Sequence, residues 1–136
     1  MSRTDQRRAA VWALYQSDLL GVPVAETLPR DTPMFTRELA RLVDDFRPEL
    51  DELISTHARG WTLDRIAPVE RAILRVGLAE IIYPHFLPAE EPIPAEGAID
   101  EAVQTAKEFC GAEAPGFVNG ILAAVLRERL SAAGDG

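Results

Sequence analysis

Residues 116–126 read "GFVNGILAAVL", an Asn-Gly pair inside an apolar run, and Asn-Gly between hydrophobics is the strongest short signal for a β-hairpin. Only Phe117 and Val118 precede the pair in that run, too few for a strand of usual length. The run after it, "ILAAVLRERL", is rich in helix formers. The stretch is therefore expected to be helical, opening at Pro115, a favoured first-turn residue. On such a helix Phe117, Ile121, Ala124 and Val125 share one stripe, which Leu122 and Leu126 widen. Gly120 then stands inside a helix, where glycine costs about 1 kcal/mol relative to alanine. The expected compensation is close approach by a neighbouring helix.

With the hairpin set aside, no segment alternates with the period of a strand, and the spacing is helical throughout. A first helix is expected from about Asp5 to Leu20, carrying Val11, Leu14, Tyr15 and Leu19, with Thr4 as cap and Gly21 as stop. After the loop "GVPVAETLPRD", Thr32 and Pro33 open a second helix with Phe35, Leu39, Leu42, Val43 and Phe46 on one face. Pro48 opens a third, with Leu50, Leu53, Ile54 and His57 inward and Gly60 at its end. Thr62 caps a short helix that Pro68 ends, and Pro68 starts the next. Residues Val69 to Tyr83 are apolar on nearly every face, which marks a helix buried at the centre. Residues 84–98, "PHFLPAEEPIPAEGA", hold four prolines and are expected to be irregular. A helix starting near Asp100 carries Val103, Ala106 and Phe109, ends at Gly111, and is followed by the opening stretch. The expected fold class is all-α, about seven helices in two small helical bundles. They form a single domain over residues 1–136, with a three-helix half at about 1–60 and a second helical half at about 61–136.

A chain of 136 residues buries enough surface to fold without a metal or a disulfide. Its hydrophobic share of 47% and charged share of 26% are those of an ordinary globular protein. No stretch approaches the roughly 20 apolar residues of a membrane span, and "MSRTDQRRAA" lacks the apolar core of a secretory signal. The expectation is a cytoplasmic protein with no membrane contact. Cys110 is the only cysteine, so neither an internal disulfide nor a thiolate cluster can form. His57 and His85 lie far apart without a partner at metal-ligand spacing, and His57 falls on the apolar stripe of its helix. The four serines show no nucleophile elbow, and there is no glycine-rich phosphate loop. No enzyme, no metal and no cofactor are expected.

A net charge of -8 argues against a stand-alone nucleic-acid binder with a broad basic face. The charge is uneven, however. From Glu90 to Glu113 seven acids face the single Lys107, whereas residues 1–10 carry Arg3, Arg7 and Arg8 against Asp5 alone. On charge alone these read first as three solvated arginines at a fraying terminus; the alternative is a flexible basic tip able to grip RNA phosphates.

The segments "RRAAVWALYQ" at 7–16, "RGWTLDRIAPVERAILRVGLAEI" at 59–81 and "AIDEAVQTAKEFCGAEAPGFVNGILAAV" at 98–125 together resemble the family of the transcription antitermination factor NusB. Their order and spacing match that family, and the likeness covers essentially the whole chain. The resemblance implies an all-helical fold of two perpendicular subdomains. It also implies binding of boxA-type RNA jointly with NusE, a small-subunit ribosomal protein, within an antitermination complex with RNA polymerase that supports ribosomal RNA transcription. On this likeness Arg3, Arg7 and Arg8 match the arginine-rich RNA-binding start of the first helix, and Lys107, Phe109 and Phe117 fall in segments that approach RNA. Tyr15 and Glu70 match the face that meets NusE, with Asp64 beside them. Three departures stand out. Thr4, Asp5 and Gln6 interrupt the arginine arm, Ala114 replaces a residue that is often polar, and Asp100 stands where the family usually has Asn. Two alternatives remain at this level: a NusB-like interaction domain of an RNA cytosine methyltransferase, and a homodimer that buries the arm. Against the first, the chain ends at Gly136 with no methyl-donor-binding domain.

Overall fold

The computed structural model describes residues 1–88 and 92–135, so the expectations placed on Glu90 and Glu91 lie outside the described residues. Six α-helices follow one another among the described residues. They are α1 (Arg3–Leu20), α2 (Met34–Asp45), α3 (Arg47–His57), α4 (Pro68–Ile82), α5 (Ala95–Phe109) and α6 (Ala114–Asp135), and no strand occurs there. Single 3-10 turns occupy Val24–Thr27, Leu63–Arg65 and Pro84–Phe86, and the second of these is what the expected short helix before Pro68 turns out to be.

The helix without a polar face lies at the centre. Every residue of α4 from Ala72 to Ile81 is buried, and α4 touches all five other helices. The stripe read on α2 also faces inward, with Phe35, Leu39, Leu42 and Val43 buried. The Asn-Gly stretch is helical: α6 lays Val118, Ile121, Leu122 and Val125 against the core and packs on α3, α4 and α5. Gly21 ends α1 at φ 67°, where an L side chain is strained, and its N–H closes the last turn onto the Ser17 carbonyl.

Several local expectations need correction. Ser2, not Thr4, caps α1 by accepting from the Asp5 N–H at 3.0 Å, while the Thr4 hydroxyl donates across to Glu101 at 2.8 Å. Leu19 is 57% exposed rather than inward. The proline-rich segment turns helical at Ala95, so Asp100 is an exposed residue inside α5 and caps nothing. Pro94 stands immediately before that helix, where a missing N–H breaks no helical bond.

Gly120 is exposed, and an added Cβ would meet nothing within 4 Å, so no helix approaches it. The close approach occurs at Gly77 instead. There a Cβ would lie 2.9 Å from Leu122 Cδ1 and 3.5 Å from the Ala102 Cβ. The reason is position: Gly77 sits on the one helix buried all round, whereas Gly120 lies on the outer side of α6.

Charged groups also knit the helices. Arg75, 4% exposed, donates to Asp18 on α1 at 2.6 Å and to both carboxylate oxygens of Asp51 on α3 at 2.7 and 3.1 Å. His57 behaves as the structural residue its stripe suggested: Nδ1 meets the Leu53 carbonyl at 2.8 Å, and Nε2 lies 2.9 Å from Glu128 on α6.

Candidate functional site

The three arginines at the start of α1 divide between two faces: Arg3 and Arg7, four residues apart, both lie over the Phe35 ring, at 4.2 and 5.4 Å from its centre, whereas Arg8, turned by about 100° from Arg7, faces α5. Arg7 shares the inward stripe of Ala10, Val11 and Leu14 at i+3, i+4 and i+7, and is 8% exposed. Its Nε donates to both oxygens of Glu80 on α4, at 2.7 and 3.0 Å, and Nη1 stands 3.8 Å from Glu101. Glu80 is 3% exposed; burial raises its carboxyl above the usual range while Arg7 pulls it back down. The picture of a flexible tip is therefore corrected. The arm is helical from Arg3, and Arg7 is an internal ion pair rather than a free phosphate ligand.

Arg3 is exposed and Arg8 is half-buried, with its Nε out of reach of solvent; each lies against an aromatic ring. The Arg3 guanidinium lies 4.2 Å from the centre of Phe35 and donates to the Pro88 carbonyl at 3.3 Å. The Arg8 guanidinium lies 5.7 Å from the centre of the Phe109 ring at the end of α5, with Nη1 2.6 Å from Glu108. Glu108 has half its side chain in solvent, so this pair is worth only about 0–1 kcal/mol and gives way readily to another anion.

Phe109 is 39% exposed and continues into a row of rings. Its centre is 5.2 Å from Trp12, and Trp12 is 5.6 Å from Tyr15, each pair near perpendicular. The fold thus joins the end of α5 to the middle of α1, and Lys107 stands exposed two residues before Phe109. Trp12 and Glu108 were not singled out from the sequence. The signal for Trp12 was its place one turn after Arg8 and three residues before Tyr15.

Phe117 does not join this row. It lines an open cleft of about 280 Å³ with Trp61, Arg65, Ile66, Glu70 and Glu113, where the first turns of α4 and α6 meet. Burial raises the Glu70 carboxyl above its ordinary value. Burial also pushes the Cys110 thiol up, with the Glu70 charge adding to the effect, so that Cys110 stays a thiol and Glu70 lies beside the end of α5. Asp64 is exposed on the Leu63–Arg65 turn, and a hydrogen bond from the Thr62 side chain holds its carboxyl below the usual range. Ala114 is 3% exposed and offers nothing to a ligand.

The surface therefore presents cations beside exposed ring faces at the α1–α5 junction, and a cleft with two carboxylates at the α4–α6 junction. No helix among the described residues is long and apolar enough to cross a membrane.

Comparison with known proteins gives a consistent result. A family model described as the NusB family matches residues 4–127. The transcription antitermination protein NusB of Thermobifida fusca is 42% identical over 137 residues, covering 96% of this chain and 92% of the relative. Among solved structures, T. maritima NusB superposes with a TM-score of 0.80 at 28% identity, covering 94% of this chain and 92% of that one. A structure of antitermination factors NusB and NusE in complex with dsRNA gives a TM-score of 0.75 at 27% identity, over 94% and 99% of the two chains.

Proposed function

Since the chain belongs to the NusB family, we propose that it works as a non-catalytic transcription antitermination factor in the cytoplasm, holding boxA-type RNA together with NusE in support of ribosomal RNA transcription. The observation that supports the reading is the unbroken run Arg8, Phe109, Trp12, Tyr15, a cation and three rings in contact, which is the combination that single-stranded RNA requires. RNA phosphates meet Arg3, Arg8 and Lys107, and the exposed face of Phe109 takes a base. Arg7 contributes by anchoring the helix that carries Arg8. Tyr15, Asp64 and Glu70 meet NusE, with Glu70 in its cleft accepting a basic side chain. Phe117, which shares that cleft, belongs with the protein partner more than with the RNA.

Arg3, Arg8 and Lys107 on single-stranded RNA, with Arg8 exchanging Glu108 for a phosphate, correspond to a slope of log affinity against log salt of about -2, from roughly -0.7 per neutralised phosphate. With a net charge of -8 repelling RNA elsewhere, binding is expected to be weak alone and clearly stronger when NusE adds its own contacts. Titration of boxA-type RNA with this protein, with and without NusE, tests the proposal. RNA affinity that NusE leaves unchanged would count against it.

A further inference from the structure

A cleft of about 370 Å³ lies between α1 and the segment running from Thr27 to Thr36. Ala9 and Ala13 form its floor, Trp12 one wall, and Leu28, Pro29 and Pro33 the opposite side. Contacts on Phe109 and Tyr15 fix the indole of Trp12, so the ring stands as a rigid wall. Its N–H makes no hydrogen bond among the described residues, and neither do the side chains of Gln16 and Asp31 on the rim. Cations stand on both elements that border the cleft, though none lines it. Arg8 stands one turn before Trp12 on α1, turned toward Phe109 and Glu108. Across the cleft, Arg37 donates to the carbonyls of Pro29 and Arg30 at 3.2 and 3.5 Å, beside the exposed Arg30 side chain. Asp31 is the one charged side chain among the lining residues, so the cleft itself does not suit a phosphate.

We propose that this cleft accepts one unpaired nucleobase of a single-stranded RNA, stacked on Trp12, with the flanking phosphates directed to Arg8 on one side and to Arg30 and Arg37 on the other. The inference rests on the reading that RNA lies along Arg8 and Phe109, which the Trp12 ring directly continues. An aromatic wall with small residues beneath it is what a splayed base requires, and a duplex, whose bases stay stacked, cannot enter. The Asp31 carboxylate, which only accepts, favours a base with an exocyclic amino group, whereas the Gln16 amide can donate or accept and pairs with any base.

The test uses Trp61→Phe protein, in which Trp12 is the sole tryptophan. Single-stranded boxA-type RNA is expected to quench its emission, and the same sequence as a duplex is not. Ala9→Leu fills the floor without removing an existing contact; it should abolish the quenching and weaken single-strand binding about 5- to 30-fold, the scale of one base–aromatic stack. Independently of any change to the cleft, scanning an abasic site along the RNA should find one position that loses the quenching. RNA that binds with unchanged Trp12 emission at every abasic position, and equally well to Ala9→Leu, overturns the cleft while leaving the RNA reading in place. Failure of the parent protein to bind RNA at all overturns both. Loss of NusE binding by Ala9→Leu in the absence of RNA assigns the cleft to the protein partner and also overturns the proposal.

Discussion

Replacing Arg7 by alanine should damage stability far more than it damages RNA affinity through a lost contact. The guanidinium holds both oxygens of Glu80 at 2.7 and 3.0 Å, and the two residues are 8% and 3% exposed. Removing one partner of such a pair leaves a buried carboxylate without its cation, a loss of about 3–5 kcal/mol. For 136 residues the unfolding entropy is about 0.29 kcal/mol/K, so the melting temperature should fall by roughly 10–17 °C. The deficit should also depend on pH. Burial already raises the Glu80 carboxyl, and without Arg7 it rises further. A folded-state value above the unfolded one means that the native protein binds the proton more readily, so stability falls as pH rises through that window. The penalty of Arg7→Ala relative to wild type is therefore full above the raised value of Glu80 and shrinks as acid neutralises the carboxyl. Thermal melts of both proteins across a pH series, followed by circular dichroism, measure this. A variant melting within about 3 °C of wild type at pH 7, or a deficit that grows in acid, would refute the reasoning.

Two further expectations concern the glycines and the arm. Gly77→Leu should destabilise by about 1–3 kcal/mol or more through overpacking against Leu122, whereas Gly120→Ala should stabilise by about 0.5–1 kcal/mol; urea titrations showing the reverse order would contradict the packing. Glu108→Gln should free Arg8 and raise RNA affinity up to about fivefold, with little change in melting temperature, as removal of an exposed pair allows. Lower affinity for that variant in filter binding would mean that Glu108 helps hold the RNA.

How much of this was legible in the chain varies with the physics of each element. The stripe of Phe35, Leu39, Leu42 and Val43 and the all-round apolar character of α4 translate directly into burial, because each is decided by spacing along one helix. The start of α5 is different. A cluster of prolines reads as irregular backbone, yet the last of them, Pro94, sits where a helix tolerates it best, and the helix begins five residues earlier than Asp100 suggests. The role of Arg7 was hidden by its neighbours, since three arginines close together read as one basic tip. Its spacing to Val11 and Leu14, set beside Glu80, the one acid in the buried span Ala72 to Ile81, held the clue to an internal pair. Arg8 and Phe109 come from opposite ends of the chain, and only the packing of α5 beside α1 brings them together. Periodicity within either helix carries no trace of that meeting.

The central claim is that RNA lies across Arg8 and Phe109, and the most direct measurement is RNA affinity for the protein with NusE over a salt series, wild type against an Arg8→Ala, Phe109→Ala double variant. The loss of a cation and a stacking ring should weaken binding about 10- to 100-fold and flatten the salt slope by about 0.7, with NusE binding retained and the melting temperature lowered by the lost packing of Phe109 on Trp12 but still well above the assay temperature. A double variant that keeps wild-type affinity and the wild-type slope would place the RNA elsewhere and contradict the account.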